Sequence, residues 1–344
     1  MSKLKLGDVH RGPAPLNLYA LEEHFITADV IAAWRRRDPH LAEPMMKWAL
    51  DSDITPALLD TGSARVAAMD DAGIDTAVLS LTTPGLQNLD AAEAVALQVS
   101  TNDAIAAAVR RYPQRLQGFA ALATSTPSAA ADELRRAVTE LGFNGTLVNA
   151  NSGGRALDDP YFWDIYEAAE DLRAPVYLHP SVPFPAVTAA YYRGFGEPVD
   201  SMLATGAFGW HYDAGLTVLR MIVAGVFDRF PALQVILGHW GEVVLFYLDR
   251  IAAMDPLTTL RRPIAEYFRS NIFITPGGIS SHTYLRWSLE TVGAERIMYA
   301  SDHPFNQERA GSARRFLELA AIDEATRERI AFRNWEGLVA GIRR

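Results

Sequence analysis

Carboxylates and imidazoles recur in this sequence at the ends of short apolar runs. The ends of four such runs carry Glu22, Glu23 and His24 in ALEEHF, His179 in VYLHP, His239 in VILGH and Asp302 in MYASD. Carboxylate oxygens and imidazole nitrogens are ligands that divalent ions such as Zn²⁺ and Mn²⁺ accept in proteins. The chain has no cysteine, so thiolate ligands, disulfide bonds and a cysteine nucleophile are excluded. These residues predict a nitrogen and oxygen site for one divalent ion, Zn²⁺ or Mn²⁺.

The spacing within ALEEHF assigns different directions to its two glutamates. Side chains alternate along a strand, so Glu22 and His24 share one face and Glu23 points to the other. We expect Glu22 and His24 to be metal ligands and Glu23 to make a structural hydrogen bond or ion pair. A single histidine or aspartate at a strand end is more often a packed or capping residue. Their joint occurrence at four strand ends favours the metal site.

Eight β-rich runs position these residues, with helix-like segments between them. The runs begin at Leu16, Asp75, Leu116, Phe143, Pro175, Gln234, Asn271 and Arg296. They are continuously apolar, as expected for strands covered on both faces. Eight strands alternating with helices predict an α/β fold, a (β/α)₈ TIM barrel. A doubly wound open sheet is the weaker alternative, since no glycine-rich dinucleotide motif follows the first run.

The barrel prediction treats residues 1–344 as a single domain. Residues 26–61 and 181–212 are predicted insertions after strands one and five, and the tail from Ala321 is a predicted helical extension. In such barrels the functional groups stand at the carboxyl ends of the strands. The ionisable strand ends are therefore expected to meet at one mouth.

The remaining histidines and the aromatic residues receive structural assignments. His10, His40 and His282 are predicted to be surface residues, and His211, before the helix leading to strand six, is expected to be structural. The aromatics of YFWDIY and VLFYL have helical spacing and are assigned to the core. Those of FPAVTAAYYRGFGEP, in the second insertion, are candidates to line a flat apolar pocket.

The composition of the chain argues against two classes of binding partner, nucleic acids and membranes. The formal net charge is −9, with 41 acidic and 32 basic residues, which argues against binding nucleic acid. No run of 18 consecutive apolar residues and no signal-peptide core occurs, so no membrane segment is predicted. We expect a cytoplasmic enzyme.

Seven motifs, taken in order, give the chain a family resemblance. They are ALEEHF, RVAAMDDAGIDTAVLSLTTPGLQ, ELGFNGTLVN, VYLHP, LRMIVAGVFDRFPALQVILGHWGE, RIMYASDHPF and RNWEGL. From Ala20 to Trp335 the sequence resembles the amidohydrolase superfamily, in its branch of non-oxidative aromatic acid decarboxylases of the γ-resorcylate and 2,3-dihydroxybenzoate type. The resemblance implies a small aromatic carboxylate substrate and a homodimer or homotetramer.

The resemblance also implies a role for each matching residue. Glu22, His24, His179 and Asp302 match the metal ligands, and either Asp302 or His239, relayed by Glu242, would be the catalytic acid. His239 and Glu242 match a catalytic histidine and its glutamate partner. Arg250 matches an arginine that reaches the substrate across a subunit interface, and Asn149 matches a pocket residue. His303 and His211 depart from the pattern, which has an aromatic and a small residue there.

Three functions follow from these assignments. The first is decarboxylation of an ortho-hydroxybenzoate, in which a proton reaches the ring before CO₂ leaves. The alternative is metal-dependent hydrolysis of a lactone or amide, but E-x-H in place of H-x-H on strand one, together with Arg250, favours the decarboxylase. A non-catalytic barrel is disfavoured by the complete set of ionisable residues.

Overall fold

The computed structural model describes residues 16–37, 43–50, 52–306 and 311–344. Within these ranges the strands are β1 Tyr19–Phe25, β2 Thr76–Leu81, β3 Leu116–Gly118, β4 Thr146–Asn149, β5 Asn151–Ser152, β6 Arg155–Ala156, β7 Val176–His179, β8 Val235–Leu237 and β9 Ile272–Ile274. All except β5 and β6, a small antiparallel hairpin, pair in parallel. Seven of the eight predicted strands are thereby confirmed, and the hairpin is a feature that the sequence interpretation lacked.

Two parallel sheets join to close the barrel. One has the order β1-β2-β3 and the other β4-β7-β8-β9. Single bridges connect them: Ala120 pairs with Thr146, Ile274 with Ile297, and Glu23 with His303. The family of folds predicted from the strand pattern is therefore the one observed, a (β/α)₈ barrel.

The eighth predicted strand, from Arg296, is an extended segment held by isolated contacts. Met298 N donates to Ile274 O at 2.9 Å, Leu21 N to Tyr299 O at 3.1 Å, and His24 N to His303 O at 2.8 Å. Asp302 has a φ of 59°. A left-handed residue interrupts a strand ladder, which is why a continuous strand was the wrong expectation here.

An irregularity in β1 decides which of its side chains face the barrel interior. Ala20 pairs with Ala77 and Glu23 with Leu79, so β1 spans three residues where β2 spans two. Such a bulge places one extra residue on a face. Leu21 consequently lies in the interior core, while Glu22 and His24 lie one level higher at the mouth.

The barrel interior is filled below the mouth by large side chains. This core comprises Leu21, Val78, Phe119, Leu147, Tyr177, Ile236, Phe273, Met298 and Trp335. Trp335 comes from the carboxyl-terminal helix, and its Nε1 donates to Gln117 Oε1 at 2.8 Å. The prediction that the tail from Ala321 forms a helical packing unit is confirmed.

Helices surround the sheet and occupy the segments between the strands, as the helix-like spacing there predicts. In the described ranges the α-helices are α1 Ala28–Arg36, α2 Pro44–Leu50, α3 Thr55–Leu59, α4 Ser63–Ala72, α5 Ala91–Arg111, α6 Pro127–Thr139, α7 Trp163–Leu172, α8 Pro185–Tyr191, α9 Val199–Ala204, α10 Gly209–Val223, α11 Val226–Arg229, α12 His239–Glu242, α13 Val244–Ile251, α14 Ile264–Ser270, α15 His282–Val292, α16 Ser312–Glu318, α17 Glu324–Glu328 and α18 Asn334–Val339. Short 3₁₀ segments are Pro160–Phe162, Ala252–Leu257 and Ala294–Arg296, and Arg329–Arg333 is a π-helix.

The second insertion and one aromatic motif differ from their sequence interpretation. Residues 181–212 contain α8 and α9 instead of a continuous loop, and their Tyr191 and Phe195 are 74% and 68% exposed. Phe246 and Tyr247 of the VLFYL motif, assigned to the core, are 66% and 57% exposed. Helical spacing identifies an apolar face but not what covers it. Among the described residues no helix combines the length and apolar character needed to cross a bilayer.

Candidate metal centre

Three predicted ligands meet at the carboxyl ends of the strands. Glu22 and His24 come from β1 and His179 ends β7, and one ligand atom from each lies within 4.8 Å of the others. The Nε2 atom of His179 is 3.3 Å from Glu22 Oε1. The imidazole rings of His24 and His179 stand edge to face, with centroids 4.9 Å apart. All three side chains are buried.

Asp302 completes this group from the eighth segment. Its Oδ1 is 3.3 Å from His24 Nε2, and its Oδ2 accepts a hydrogen bond from Asn306 Nδ2 at 2.7 Å. The positive φ of Asp302 turns its side chain toward the mouth at the point where β1 meets the segment. Because left-handed non-glycine residues are uncommon and costly, they concentrate at functional sites.

The unpaired atoms of the cluster fit a metal ion. Glu22 Oε1 and His24 Nε2 are buried and have no hydrogen-bond partner in the structure. An unpaired buried polar atom costs about 1–3 kcal/mol, and coordination of a cation would remove that cost for both atoms. The donor set of carboxylate oxygens and imidazole nitrogens suits a divalent ion. The residues present therefore match the metal that the sequence predicts.

The other atoms of the ligands are fixed by a second set of hydrogen bonds. His179 Nδ1 donates to Pro180 O at 2.7 Å, which fixes the ring with Nε2 directed toward Glu22. Tyr177 OH donates to Glu22 Oε2 at 2.6 Å and lies 2.7 Å from Thr275 Oγ1. Sequence reasoning missed Tyr177, although its position two residues before His179 puts both on the same strand face.

His239 and Glu242 lie beside the cluster on an unusual turn. His239, Trp240, Gly241, Glu242 and Val243 all have φ between 45° and 81°. The turn directs His239 Nδ1 to Glu242 Oε1 at 2.7 Å and places His239 Nε2 4.0 Å from Glu22 Oε1. Gly238, just before it, must be small, because a Cβ there would lie 3.2 Å from Tyr177 OH and 3.3 Å from Glu22 Oε2.

His211 lies beside this group, which is the alternative that the sequence left open next to a structural role. Its Nδ1 is 2.8 Å from Glu242 Oε2, so the Glu242 carboxylate is flanked by two imidazoles. The His211 and His239 ring centroids are 4.4 Å apart. His211 reaches the mouth because α10 begins at Gly209 and crosses it, and because Gly215 lets that helix approach the backbone of Glu242. The spacing along the sequence carried no signal of this contact.

The pKa values of the two carboxyl groups in the cluster, those of Glu22 and Asp302, are shifted in opposite directions. Burial raises the pKa of Glu22, but the imidazoles of His239, His179 and His24 outweigh it and lower that pKa to about 2. Burial, and then the charge of Glu22, raise the pKa of Asp302 well above its usual value. Glu22 therefore loses its proton much more readily than Asp302, which holds its proton to higher pH than an ordinary aspartic acid does. Two nearby carboxyl groups sharing one proton follow this pattern.

The pKa values of His24 and His239 are also shifted in opposite directions. Burial, and then His179, hold the pKa of His24 well below its usual value, so His24 is neutral and its Nε2 is free to bind a cation. Burial alone would lower the pKa of His239, but Glu242 and Glu22 raise it to about 10. Burial opposes ionisation of Glu242, yet His239 and His211 lower its pKa. His239 is therefore the protonated member of the pair with Glu242.

Comparison with known proteins agrees with this geometry. The family model described as amidohydrolase matches residues 20–334. The chain belongs to the amidohydrolase family. A γ-resorcylate decarboxylase from Polaromonas sp. (strain JS666) is 34% identical over 332 residues, covering 93% of this chain and 97% of that protein.

Two solved structures resemble this amidohydrolase closely. A 5-carboxyvanillate decarboxylase from Novosphingobium aromaticivorans, with manganese and 4-hydroxy-3-methoxy-5-nitrobenzoic acid, has a TM-score of 0.87 and 30% identity, covering 94% and 96% of the two chains. A dihydroxybenzoic acid decarboxylase from Polaromonas sp. JS666, with manganese and 2-nitroresorcinol, has a TM-score of 0.82 and 32% identity, covering 94% and 97%. Both are metal-containing decarboxylases, so this family member is expected to bind a divalent metal.

Glu23 of this amidohydrolase faces away from the mouth, as its alternation with Glu22 predicts. Its carboxyl group accepts hydrogen bonds from Ser301 N at 3.0 Å and Ser301 Oγ at 2.9 and 2.7 Å. Burial raises its pKa to about 8 against these hydrogen bonds. Arg65 lies on the same side and donates to His24 O at 2.6 Å. Through these hydrogen bonds Glu23 holds the eighth segment against β1 on the outer face of the barrel.

The other predicted residues divide between the mouth and the surface. Asn149 ends β4 in register with His179, and its buried side chain lies near the cluster. Arg250 is exposed near the end of α13. His282 is exposed, as predicted. His303 is partly buried behind Asp302, and burial, then Arg65, lower its pKa to about 4. His10 and His40 lie outside the described residues.

Proposed function

We propose that this amidohydrolase is a metal-dependent, non-oxidative decarboxylase, a carboxy-lyase that acts on an ortho-hydroxybenzoate. The observation that carries the proposal is the placement of Asp302. A carboxyl group with a raised pKa lies 3.3 Å from His24 Nε2, beside the unpaired atoms of Glu22 and His24. The site thereby combines candidate ligands for one cation with a carboxyl group that holds a proton more tightly than an ordinary aspartic acid does.

Decarboxylation of an aromatic acid needs such an acid. Direct loss of CO₂ would leave an aryl anion, whereas protonation of the ring carbon that bears the carboxylate gives a species from which CO₂ leaves readily. A bound divalent ion supplies positive charge for the carboxylate and the ortho-hydroxyl oxygen. With the ion bound, Asp302 takes up the proton of the substrate's ortho-hydroxyl group and donates it to the ring carbon, which breaks aromaticity; solvent returns a proton to that oxygen when the product leaves. The C–C bond then breaks, its electron pair restores the aromatic ring, and CO₂ departs.

His239 assists as a charged hydrogen-bond donor held by Glu242. The 2.7 Å contact between His239 Nδ1 and Glu242 Oε1 fixes the ring, and His239 Nε2 is directed toward Glu22 and the mouth. In the proposal Glu22, His24, His179 and Asp302 are the metal ligands, with His239, Glu242 and Asp302 catalytic. Asn149 contacts the substrate from β4.

The finer parts of the proposal concern the ion, the assembly and the location. Manganese is the ion proposed, because both neighbouring structures contain it, with Zn²⁺ as the second candidate. A homodimer or homotetramer would place the exposed Arg250 of one subunit at the mouth of another. Exposed Phe246 and Tyr247 on the same helix supply the apolar surface that a stable subunit interface requires. The enzyme is proposed to work in the cytoplasm, as one barrel domain spanning residues 1–344.

The comparisons support decarboxylation over the hydrolase alternative. The decisive experiment incubates the manganese-loaded protein with 2-hydroxybenzoate, the dihydroxybenzoates and a set of lactones and amides, and measures CO₂ release and hydrolysis separately. We expect CO₂ from at least one hydroxybenzoate and no hydrolysis. Hydrolysis of a lactone or amide without CO₂ release from any hydroxybenzoate would overturn the proposal.

A further inference from the structure

A cleft of about 270 Å³ lies on the outer face of the barrel, behind the metal cluster. Its lining includes Ile54 just before α3, Arg65 and Met69 on α4, and His303 in the eighth segment. None of the proposed metal ligands lines it. The cleft is therefore a place for a ligand that is separate from the mouth.

The floor of the cleft carries a buried guanidinium group. Arg65 is 3% exposed, and its Nε donates to Asp60 O at 2.7 Å. Its Nη2 donates to His24 O at 2.6 Å and to Ala57 O at 2.9 Å. Within the part of the chain that the structure describes, Nη1 has no acceptor and the guanidinium forms no ion pair. Since buried charges in proteins are normally paired, the unpaired Nη1 indicates a place for an anion.

His303 adds a second unpaired polar group to the cleft. Its backbone O accepts a hydrogen bond from His24 N at 2.8 Å, but neither nitrogen of its ring has a partner among the described residues. An imidazole nitrogen that carries a hydrogen can donate it to an anion. His303 is also one of the two positions at which the sequence departs from the family pattern, which has an aromatic residue there. The second donor is thus a feature of this chain.

Three carboxyl groups border the cleft without compensating the charge of Arg65. Asp53 and Asp71 are exposed at its edge, where water screens their charges. Both oxygens of Glu23 already accept hydrogen bonds from Ser301. The group that lacks a partner is therefore the buried guanidinium, and the ligand that suits it is negatively charged.

The rest of the lining is mainly apolar. It includes side chains of Ile54, Ala57, Ala68, Met69 and Ala72. An apolar cavity of about 150 Å³ is enough to bind benzene, so a cleft of about 270 Å³ has room for a ring and a carboxylate. An inorganic anion would leave these apolar walls in contact with water. The lining therefore fits a monocarboxylate whose apolar part is about the size of a benzene ring.

We propose that this cleft binds a small aromatic monocarboxylate, with the carboxylate on Arg65 Nη1 and His303 and the ring against the apolar walls. The inference goes beyond the proposed function, because binding there requires no turnover. Arg65 and His303 are both hydrogen-bonded to the backbone of His24, so the ligand lies directly behind a proposed metal ligand. A neutral amide of the same shape binds poorly, because it brings no charge to neutralise the guanidinium.

Two neighbouring alanines of α4 provide the test. Ala68 and Ala67 are both exposed, but only Ala68 lines the cleft. The manganese-loaded wild type, Ala68→Leu and Ala67→Leu are titrated calorimetrically with 4-fluorobenzoate and with 4-fluorobenzamide. We expect the wild type and Ala67→Leu to bind one more molecule of 4-fluorobenzoate per chain than Ala68→Leu, whose leucine fills the cleft. Equal stoichiometry in all three proteins, or an equally tight benzamide site that Ala68→Leu removes, would overturn the inference.

Two further measurements locate the ligand and test its second donor. In crystals grown with 4-bromobenzoate, the anomalous signal of bromine should lie beside Ile54 and Met69 in the wild type and in Ala67→Leu, and should be absent there in Ala68→Leu. His303→Phe should weaken the affinity of this site by about fivefold or more, because the donor is lost. Bromine found only at the mouth, or an unchanged affinity in His303→Phe, would contradict the proposed site. Failure of CO₂ release from the hydroxybenzoates would leave these results unaffected, since none of them depends on the reaction.

Discussion

His239 Nδ1 lies 2.7 Å from Glu242 Oε1 although both residues sit in a turn of left-handed backbone. In an ordinary α-helix, His239 could reach a residue three positions later, but its ring would not point toward Glu22 at the same time. The turn stores conformational strain, and the interactions of Glu242 with two imidazoles compensate for it. The glutamate therefore acts on the orientation and on the charge of His239.

Replacing Glu242 with glutamine should weaken catalysis through His239. We expect kcat to fall by about one hundredfold, since loss of the carboxylate lowers the pKa of His239 and its fraction of imidazolium. The basic limb of the pH profile should move to lower pH. Steady-state kinetics from pH 6 to pH 10 measure both effects. Glu290→Gln, on the exposed side of α15, is the matched control; an unmoved basic limb in Glu242→Gln would contradict the role given to Glu242.

The two glutamates of ALEEHF provide a matched pair for the metal site. Glu22→Gln should lower Mn²⁺ affinity by about tenfold or more, because the ligand charge among the imidazoles is lost. Glu23→Gln should bind Mn²⁺ as the wild type does, because Glu23 faces Ser301. Titration followed by metal analysis after gel filtration gives both affinities. Equal losses in the two variants would mean that Glu22 is not a ligand.

Metal binding should release a proton from Asp302. Its raised pKa means that the metal-free protein holds this proton to higher pH than an ordinary aspartic acid does, and a cation that takes the carboxylate must displace it. Affinity for Mn²⁺ should therefore increase with pH. Calorimetry in buffers of different ionisation enthalpy should report proton release on metal binding. Asp302→Asn should fold normally, bind the ion without that release and lose turnover; undiminished proton release in this variant would refute the assignment.

Glu23 should make the metal-free protein less stable as pH rises. Its pKa is raised to about 8 in the folded chain, so the folded state binds more protons than the unfolded state above pH 4.5. Stability from this group is complete below that value and is lost as pH rises through about 8. Denaturant unfolding at pH 5 and pH 8 should show a smaller loss in Glu23→Gln than in the wild type. If the free energy of unfolding fell equally with pH in both proteins, a group other than Glu23 would be responsible for the loss.

Arg250 should affect substrate binding more than folding. Its side chain is exposed on α13, so Arg250→Ala should leave the thermal midpoint within about 2 °C of the wild type. If the guanidinium enters a partner subunit's mouth, KM should rise about tenfold. Arg286→Ala, an exposed arginine on α15, controls for charge. Unchanged KM with a lowered midpoint would indicate a structural ion pair instead.

The barrel and the metal cluster followed from the sequence because both depend on short-range rules. Strand alternation placed Glu22 with His24 and separated Glu23, and the position at strand ends brought in His179 and Asp302. The bulge in β1 could not be predicted from the sequence, because it depends on the register between β1 and β2. His211 was missed because its contact with Glu242 requires the packing of α10 over the mouth. Phe246 and Tyr247 were misassigned because helical periodicity does not reveal what covers an apolar face.

The barrel closes where β1 meets the eighth segment, and the ligands stand on both sides of that seam. Glu23 and Ser301, which fasten it from outside, are 278 residues apart in sequence. Bringing together residues so distant in the sequence carries a large entropic cost. An ion bound by both Glu22 and Asp302, as proposed, would help to offset that cost. The proposed ligands on the two sides of the seam can meet only after β1 and the eighth segment have come together. Metal uptake would then report that the barrel has closed.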